Sequence, residues 1–167
     1  MTSNLKQIKA SIYDKCSLYI SDYHDELESK SYGACTFTLS GFNITCRDAK
    51  VTPKKVGQFV TFWKRLQNGE ISPFHESDLI DFYVVNVKTE NKLGQFVFPR
   101  SILIKKEIIS TQSKEGKRAF RVYPAWDTPN NKQALKTKKW QLDFFYEVSK
   151  DVDIDLITSL FTSCEKQ

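Results

Sequence analysis

A chain of 167 residues with 40% hydrophobic and 13% aromatic side chains has the apolar material for one domain around one core, which excludes wholesale disorder. No stretch approaches the ~20 apolar residues of a bilayer span. The N-terminus lacks a basic head followed by an apolar block, so no membrane partner and a cytoplasmic address are expected.

The formal charge of +5 is unevenly spread. Residues 51–141 carry 17 basic and 8 acidic side chains, residues 1–50 carry 6 of each, and residues 142–167 carry 2 basic and 6 acidic. Segregation of this kind suggests a polyanionic partner. A solvated face of a basic protein is the competing reading.

The first element expected is an amphipathic helix over 3–29. Leu5, Ile8, Ile12, Cys16, Tyr19, Ile20, Tyr23 and Leu27 recur at steps of three and four, and Ser3 can cap it. Two β runs over 32–39 and 42–51 flank Ser40-Gly41 and read as a hairpin. Thr52-Pro53 is a helix start. A helix from there to 67 would bury Val56, Phe59, Val60, Trp63 and Leu66, and would show Lys55, Gln58, Phe62 and Arg65 on the far side, with Asn68-Gly69 as its stop.

Strands are expected over 79–88 and 95–98, a helical turn over 101–107, and a strand over 119–123. Thr128-Pro129 repeats the cap-plus-proline start, for a helix running to about Val148. A last acidic helix covers 153–163. This interleaving gives one α/β (α+β) domain over 1–167, a mixed central sheet flanked by helices.

Cys16, Cys35, Cys46 and Cys164 show no C-x-x-C spacing, and His24 and His75 are isolated. The cysteines read as reduced thiols rather than zinc ligands. Two other constellations carry chemistry. In Asp48-Ala49-Lys50, a strand would point Asp48 and Lys50 to the same side. The carboxylate can ligate magnesium while the lysine stabilises charge near a phosphate. A second ligand is needed, and Glu28 or Glu26 upstream, or Asp81 or Asp78 downstream, are the candidates. The competing reading is an ion pair at a hairpin end.

The second constellation is the basic run through 114–141. Lys117, Arg118 and Arg121 precede Tyr123 and Trp126, and Lys132, Lys136 and Lys139 share one helical stripe. Asn131, Gln133 and Gln141 add amide donors and acceptors. Lysines contact phosphates, a glutamine or an arginine can pair with base edges, and Tyr123 or Trp126 could stack on a base. Lys50, Lys54, Lys55, Gln58 and Arg65 would join this nucleic-acid surface. Trp140 reads as core.

The blocks RDAKVTPKKVGQFVTFWKR, GQFVFPRSILIKKEIIS, GKRAFRVYPAWD and NNKQALKTKKWQ resemble the MepB family over about residues 25–146. These are small bacterial proteins first noticed beside a multidrug efflux pump and its repressor. The resemblance implies a fold similar to the type II restriction endonucleases, the PD-(D/E)XK group, with nucleic acid, DNA first, as the partner and a link to efflux regulation. Asp48 and Lys50 fall on the acid-x-Lys positions of that group, and Gln58 falls where some members keep a glutamine. The first acid of the motif has no clear match here. The resemblance therefore implies binding with little or no cleavage. A magnesium-dependent nuclease using Asp48, Lys50 and Glu28, with Asp81 as a further metal ligand, is one alternative, and a protein-interaction module is the other.

Overall fold

The structure is a computed structural model that describes residues 1–162. Cys164 and the end of the last expected helix lie outside the described residues.

Thr2 caps α1 (Ser3–Ile8), its hydroxyl accepting from the Leu5 N–H at 3.3 Å. The helix continues through a π turn (Lys9–Tyr13) and a 3-10 turn (Asp14–Cys16). Ser17, in the left-handed region at φ 56°, stops it. The expected helix over 3–29 is thus corrected: its second half is the strand β1 (Ile20–Asp25). The cause is a bulge between Ser21 and His24, where Asp22 takes φ 51°. An extra residue turns both Ile20 and Tyr23 onto the core, three positions apart. A bulged strand can therefore imitate helical spacing. Tyr19 and Leu27, the other members of that stripe, are 69% and 86% exposed.

β2 (Cys35–Leu39) and β3 (Phe42–Asp48) form the expected hairpin. Ser40 and Gly41 both have positive φ, as a two-residue turn that follows strand twist requires. After Ala49 the chain leaves this sheet and enters β4 (Lys50–Thr52). Asp48 and Lys50 therefore lie on different strands of different sheets.

The helix expected from Thr52-Pro53 is also corrected. Pro53-Lys54 is the turn of a hairpin between β4 and β5 (Lys55–Thr61), and β6 (Trp63–Arg65) pairs with β7 (Ile71–Pro73) around Asn68-Gly69. β-branched and aromatic residues dominate 56–63 and fit a pleated surface better than a helix. Gly57 at φ 85° could not sit inside a helix. The apolar spacing matched both periods, and proline in a tight turn looks like proline at a helix start.

β8 (Phe82–Lys88) and β9 (Leu93–Pro99) follow as expected, then α2 (Arg100–Lys105), β10 (Ala119–Val122) and α3 (Lys132–Gln141). Thr128-Pro129 does not start α3. Asn131 caps it, its Oδ1 accepting from the Ala134 N–H at 2.8 Å. The helix ends at Gln141 rather than near Val148, because β11 (Phe145–Glu147) joins the sheet beside β9. α4 (Ile154–Thr162) closes the described chain, with Asp153 accepting from the Leu156 N–H at its start.

The main sheet has the order β1-β2-β3-β8-β9-β11, and only β3 and β8 run parallel. A second sheet has the order β10-β5-β4. The class is thus α+β with a mixed central sheet flanked by helices. α1 and α4 cover one face of the main sheet, over Ile44, Cys46, Val84 and Val97. The second sheet and α2 cover the other, over Val85, Phe96 and Phe98. β8 and β9 are buried almost residue for residue, which explains their unbroken apolar runs. Among the described residues no helix is long and apolar enough to cross a membrane.

Arg47 joins these layers. Its side chain is fully buried. Nη2 lies 2.9 Å from Glu26 Oε2 and donates to the Trp63 carbonyl at 3.1 Å, while Nη1 donates to Thr61 Oγ1 at 3.3 Å. Breaking such a pair strands the partner and the carbonyls it served. Arg47→Ala should therefore lower the unfolding free energy by about 3 kcal/mol, read as a urea midpoint shift. An unchanged midpoint would refute this role.

Candidate nucleic-acid interface

β10 lies at the edge of the second sheet, facing α3. A buried glutamine from the last turn of α3 stands in for the missing neighbour strand. Gln141 Oε1 accepts from the Tyr123 N–H at 2.8 Å, and Gln141 Nε2 donates to the Arg121 carbonyl at 2.9 Å. Beside this joint the β4–β5 turn, the end of α2, β10 and α3 enclose a groove of about 780 Å³. Among the described residues six cations line it, Lys54, Lys55, Lys106, Lys117, Arg121 and Lys136, and no Asp or Glu does. Amides of Asn130, Asn131 and Gln133 and the rings of Phe120 and Trp140 complete the wall.

Arg121 is held in place from three sides. Its Nη2 donates to Thr52 Oγ1 at 2.6 Å, and Nη1 reaches the carbonyls of Val56 and Gly57 at 3.4 Å. Lys106 Nζ sits 5.3 Å from the centre of the Trp140 ring.

The groove collects Lys54, Lys55, Lys117, Arg121, Tyr123, Gln133 and Lys136 from the residues expected on the binding surface. Tyr123 is only 9% exposed and presses on Gly57, so it offers a base little ring face. The other expected residues lie outside the groove. Lys132 and Lys139 are exposed elsewhere on α3. Arg118 pairs with Glu115 at 3.0 Å, and Arg65 with Glu28 at 2.6 Å. Lys50 Nζ stands 4.2 Å over the Tyr32 ring, and Trp126 packs against Phe145. Gln58 is buried and donates to the Lys88 carbonyl at 3.3 Å. Asn131 and Gln141, expected to add amide groups, line the groove too. Sequence reasoning missed Lys106 and Asn130. The basic density of 51–141 was the available signal for Lys106, and nothing marked Asn130 apart from a turn.

The acid-x-Lys reading does not assemble. Asp48 ends a buried polar row that crosses four neighbouring strands at one register. Tyr146 and Tyr13 both donate to Gln95 Oε1, at 2.7 and 2.9 Å. Gln95 donates to Asn86 Oδ1 at 2.8 Å, and Asn86 donates to Asp48 Oδ1 at 2.9 Å. Burial pushes the Asp48 carboxyl above its ordinary range, partly offset by hydrogen bonds from Asn86, Thr2 and Asn4.

The other acids are committed elsewhere. Glu28 is held below the usual carboxylate range by its hydrogen bond from Arg65. Glu26 serves Arg47 on the opposite face. Asp78 pairs with Lys64 at 2.8 Å. Asp81 accepts from the Asn43 N–H at 2.7 Å, just ahead of the Phe82 end of β8. Asp48 registers with Asn86, so strand rise puts Asp81 about 17 Å away. Among the described residues no three His, Cys, Asp or Glu side chains converge to hold a metal. Asp48, Asp81 and Glu28, expected to share magnesium, are thus each engaged by a different partner, Asn86, the Asn43 N–H and Arg65. Cys16, Cys35 and Cys46 are free thiols.

The profile of the MepB-like family matches residues 26–147. The crystal structure of MepB is 34% identical in sequence with a TM-score of 0.79, over 90% of this chain and 100% of that one. The chain belongs to the MepB-like family. A bacterial homing endonuclease, I-Ssp6803I, is similar at 15% identity and a TM-score of 0.44, over 84% of this chain and 86% of that one. A likeness of that size says nothing about shared chemistry. No curated protein matches.

Two substitutions test this geometry. A carboxyl whose folded pKa is raised holds its proton more tightly in the folded state, so its contribution is favourable below that pKa and is lost as pH rises through it. Asp48→Asn keeps an acceptor for Asn86 and removes the buried charge. At pH 7 it should melt no lower than the parent, with the difference narrowing as pH falls toward the ordinary carboxylate range. A clear drop in Tm at pH 7 would show that the charge itself is needed. At Gly57, a methyl group would meet the Tyr123 ring at 2.7 Å on a backbone at φ 85°. Gly57→Ala should cost at least about 1 kcal/mol, and parental thermal stability would contradict the close approach.

Proposed function

We propose that this chain binds nucleic acid, DNA in the first place, by seating phosphates in the groove between β10 and α3. The observation that carries the reading is the lining itself, six cations and no carboxylate among the described residues. A solvated basic face would mix signs and need no concavity. Family membership is compatible with this reading. The separated carboxylates favour binding without magnesium-dependent cleavage.

Phosphate contacts release condensed counterions, so affinity should fall steeply with salt. With all six cations engaged on duplex DNA, the slope of log K against log salt is expected near −5. The test is fluorescence anisotropy of labelled duplex and single-stranded DNA across salt concentrations. Lys54→Glu, Lys117→Glu and Lys136→Glu together should weaken binding on all sequences alike and flatten the slope. Lys132→Glu with Lys139→Glu, off the groove, should do less. No binding by the parent at low salt would overturn the proposal, and equal loss from the two sets of variants would move the site.

A further inference from the structure

The β4–β5 hairpin projects from the second sheet with an unusual surface. From Lys50 to Val56 every residue is exposed except Thr52, which is half-buried. Val51 is 67% and Val56 41% exposed, and the exposed Pro53 forms the turn with Lys54. Apolar side chains at a solvent-facing tip, ringed by Lys50, Lys54 and Lys55, gain nothing from the core. The tip is also braced. Arg121 fastens Thr52 and the carbonyls of Val56 and Gly57, and the pairing of Thr52 with Lys55 closes the turn. Val56 lines the cationic groove, so the apolar tip and the phosphate-binding wall are continuous.

A two-stranded β-ribbon fits the major groove of B-DNA, where thymine presents a methyl group that only an apolar contact can read. We propose that the β4–β5 hairpin enters the major groove of duplex DNA and sets Val51 and Val56 against thymine methyls, while Lys54 and Lys55 hold the flanking phosphates. This rests on the nucleic-acid reading above and deepens it. The lysines supply affinity that is blind to sequence, and the valines supply a preference for thymine. Their two contributions differ in salt dependence, because burying a methyl releases no counterions.

The experiment uses two duplexes of one sequence, one carrying thymine and the other deoxyuridine at every thymine position. These differ only in the methyl groups. The parent should bind the thymine duplex more tightly, by about fourfold for each methyl buried. Val51→Ser with Val56→Ser, at exposed positions where the fold does not depend on the side chains, should abolish that preference and keep the parental salt slope. Lys54→Glu with Lys55→Glu should flatten the slope and keep the preference.

A parent that binds both duplexes equally, or binds single strands and not duplexes, overturns the hairpin inference and leaves the function standing. A parent that binds no DNA at low salt removes the function and the inference together. Anionic phospholipid vesicles are the control. Vesicle binding that needs Val51 and Val56, beside DNA binding that does not, would assign the tip to a membrane surface and overturn the proposal.

Discussion

The guanidinium of Arg47 lies where the main sheet, the second sheet and the segment after β1 meet, and an acceptor reaches it from both flanking pieces. Glu26 comes from the loop after β1, and Thr61 and the Trp63 carbonyl come from the strands that leave the second sheet. A cation with no exposure cannot exist there unpaired. Arginine serves this place because its planar fork offers several donors at fixed angles. The position of β5 relative to the main sheet follows from that cluster, and β5 in turn positions β10 and one wall of the groove. The charge that sets the architecture is therefore distinct from the charges that face outward.

Neighbouring residues on β3 point to opposite faces, so Arg47 and Asp48 serve different layers. Asp48 belongs to the row through Asn86 and Gln95 to Tyr13 and Tyr146. Each amide in that row donates toward Asp48, which must accept, and the row pins four strands and the first helix to one register. An acid engaged this way has a structural occupation that a sequence motif does not reveal. Asp48-Ala49-Lys50 looks like one strand in sequence. The backbone changes sheets at Ala49, and the two side chains separate.

The middle of the main sheet was legible, and so was β10 in the second. The β2–β3 hairpin, the buried runs of β8 and β9 and the short β10 all follow from period and turn chemistry. The misreadings share one cause. At β1 a bulge, and at β4–β5 a tight turn with Gly57, make strands whose apolar residues fall three and four apart. Thr52-Pro53 and Thr128-Pro129 then offered helix starts that the chain uses as turns and loop. About half of the expected binding residues came together, because the basic density of the middle block survives errors in secondary structure. Lys132 and Lys139 did not, although Lys136 of the same stripe did, because the side of α3 toward the groove carries Gln133, Thr137 and Trp140 and the lysine stripe only borders it. Glu28 and Arg65 were each assigned to a site, and they neutralise each other instead.

The amide of Gln141 has a consequence for how the molecule behaves in crowded solution. An open strand edge is a template for another chain's backbone, and β10 would be such an edge. Gln141 occupies the very groups, the Tyr123 N–H and the Arg121 carbonyl, that an incoming strand would need. At one edge of the main sheet, the bulge in β1 and its exposed Asp22 and Asp25 make that edge irregular and charged. These two edges thus carry built-in protection against edge-to-edge polymerisation, which a small protein rich in aromatic strands would otherwise risk at high concentration.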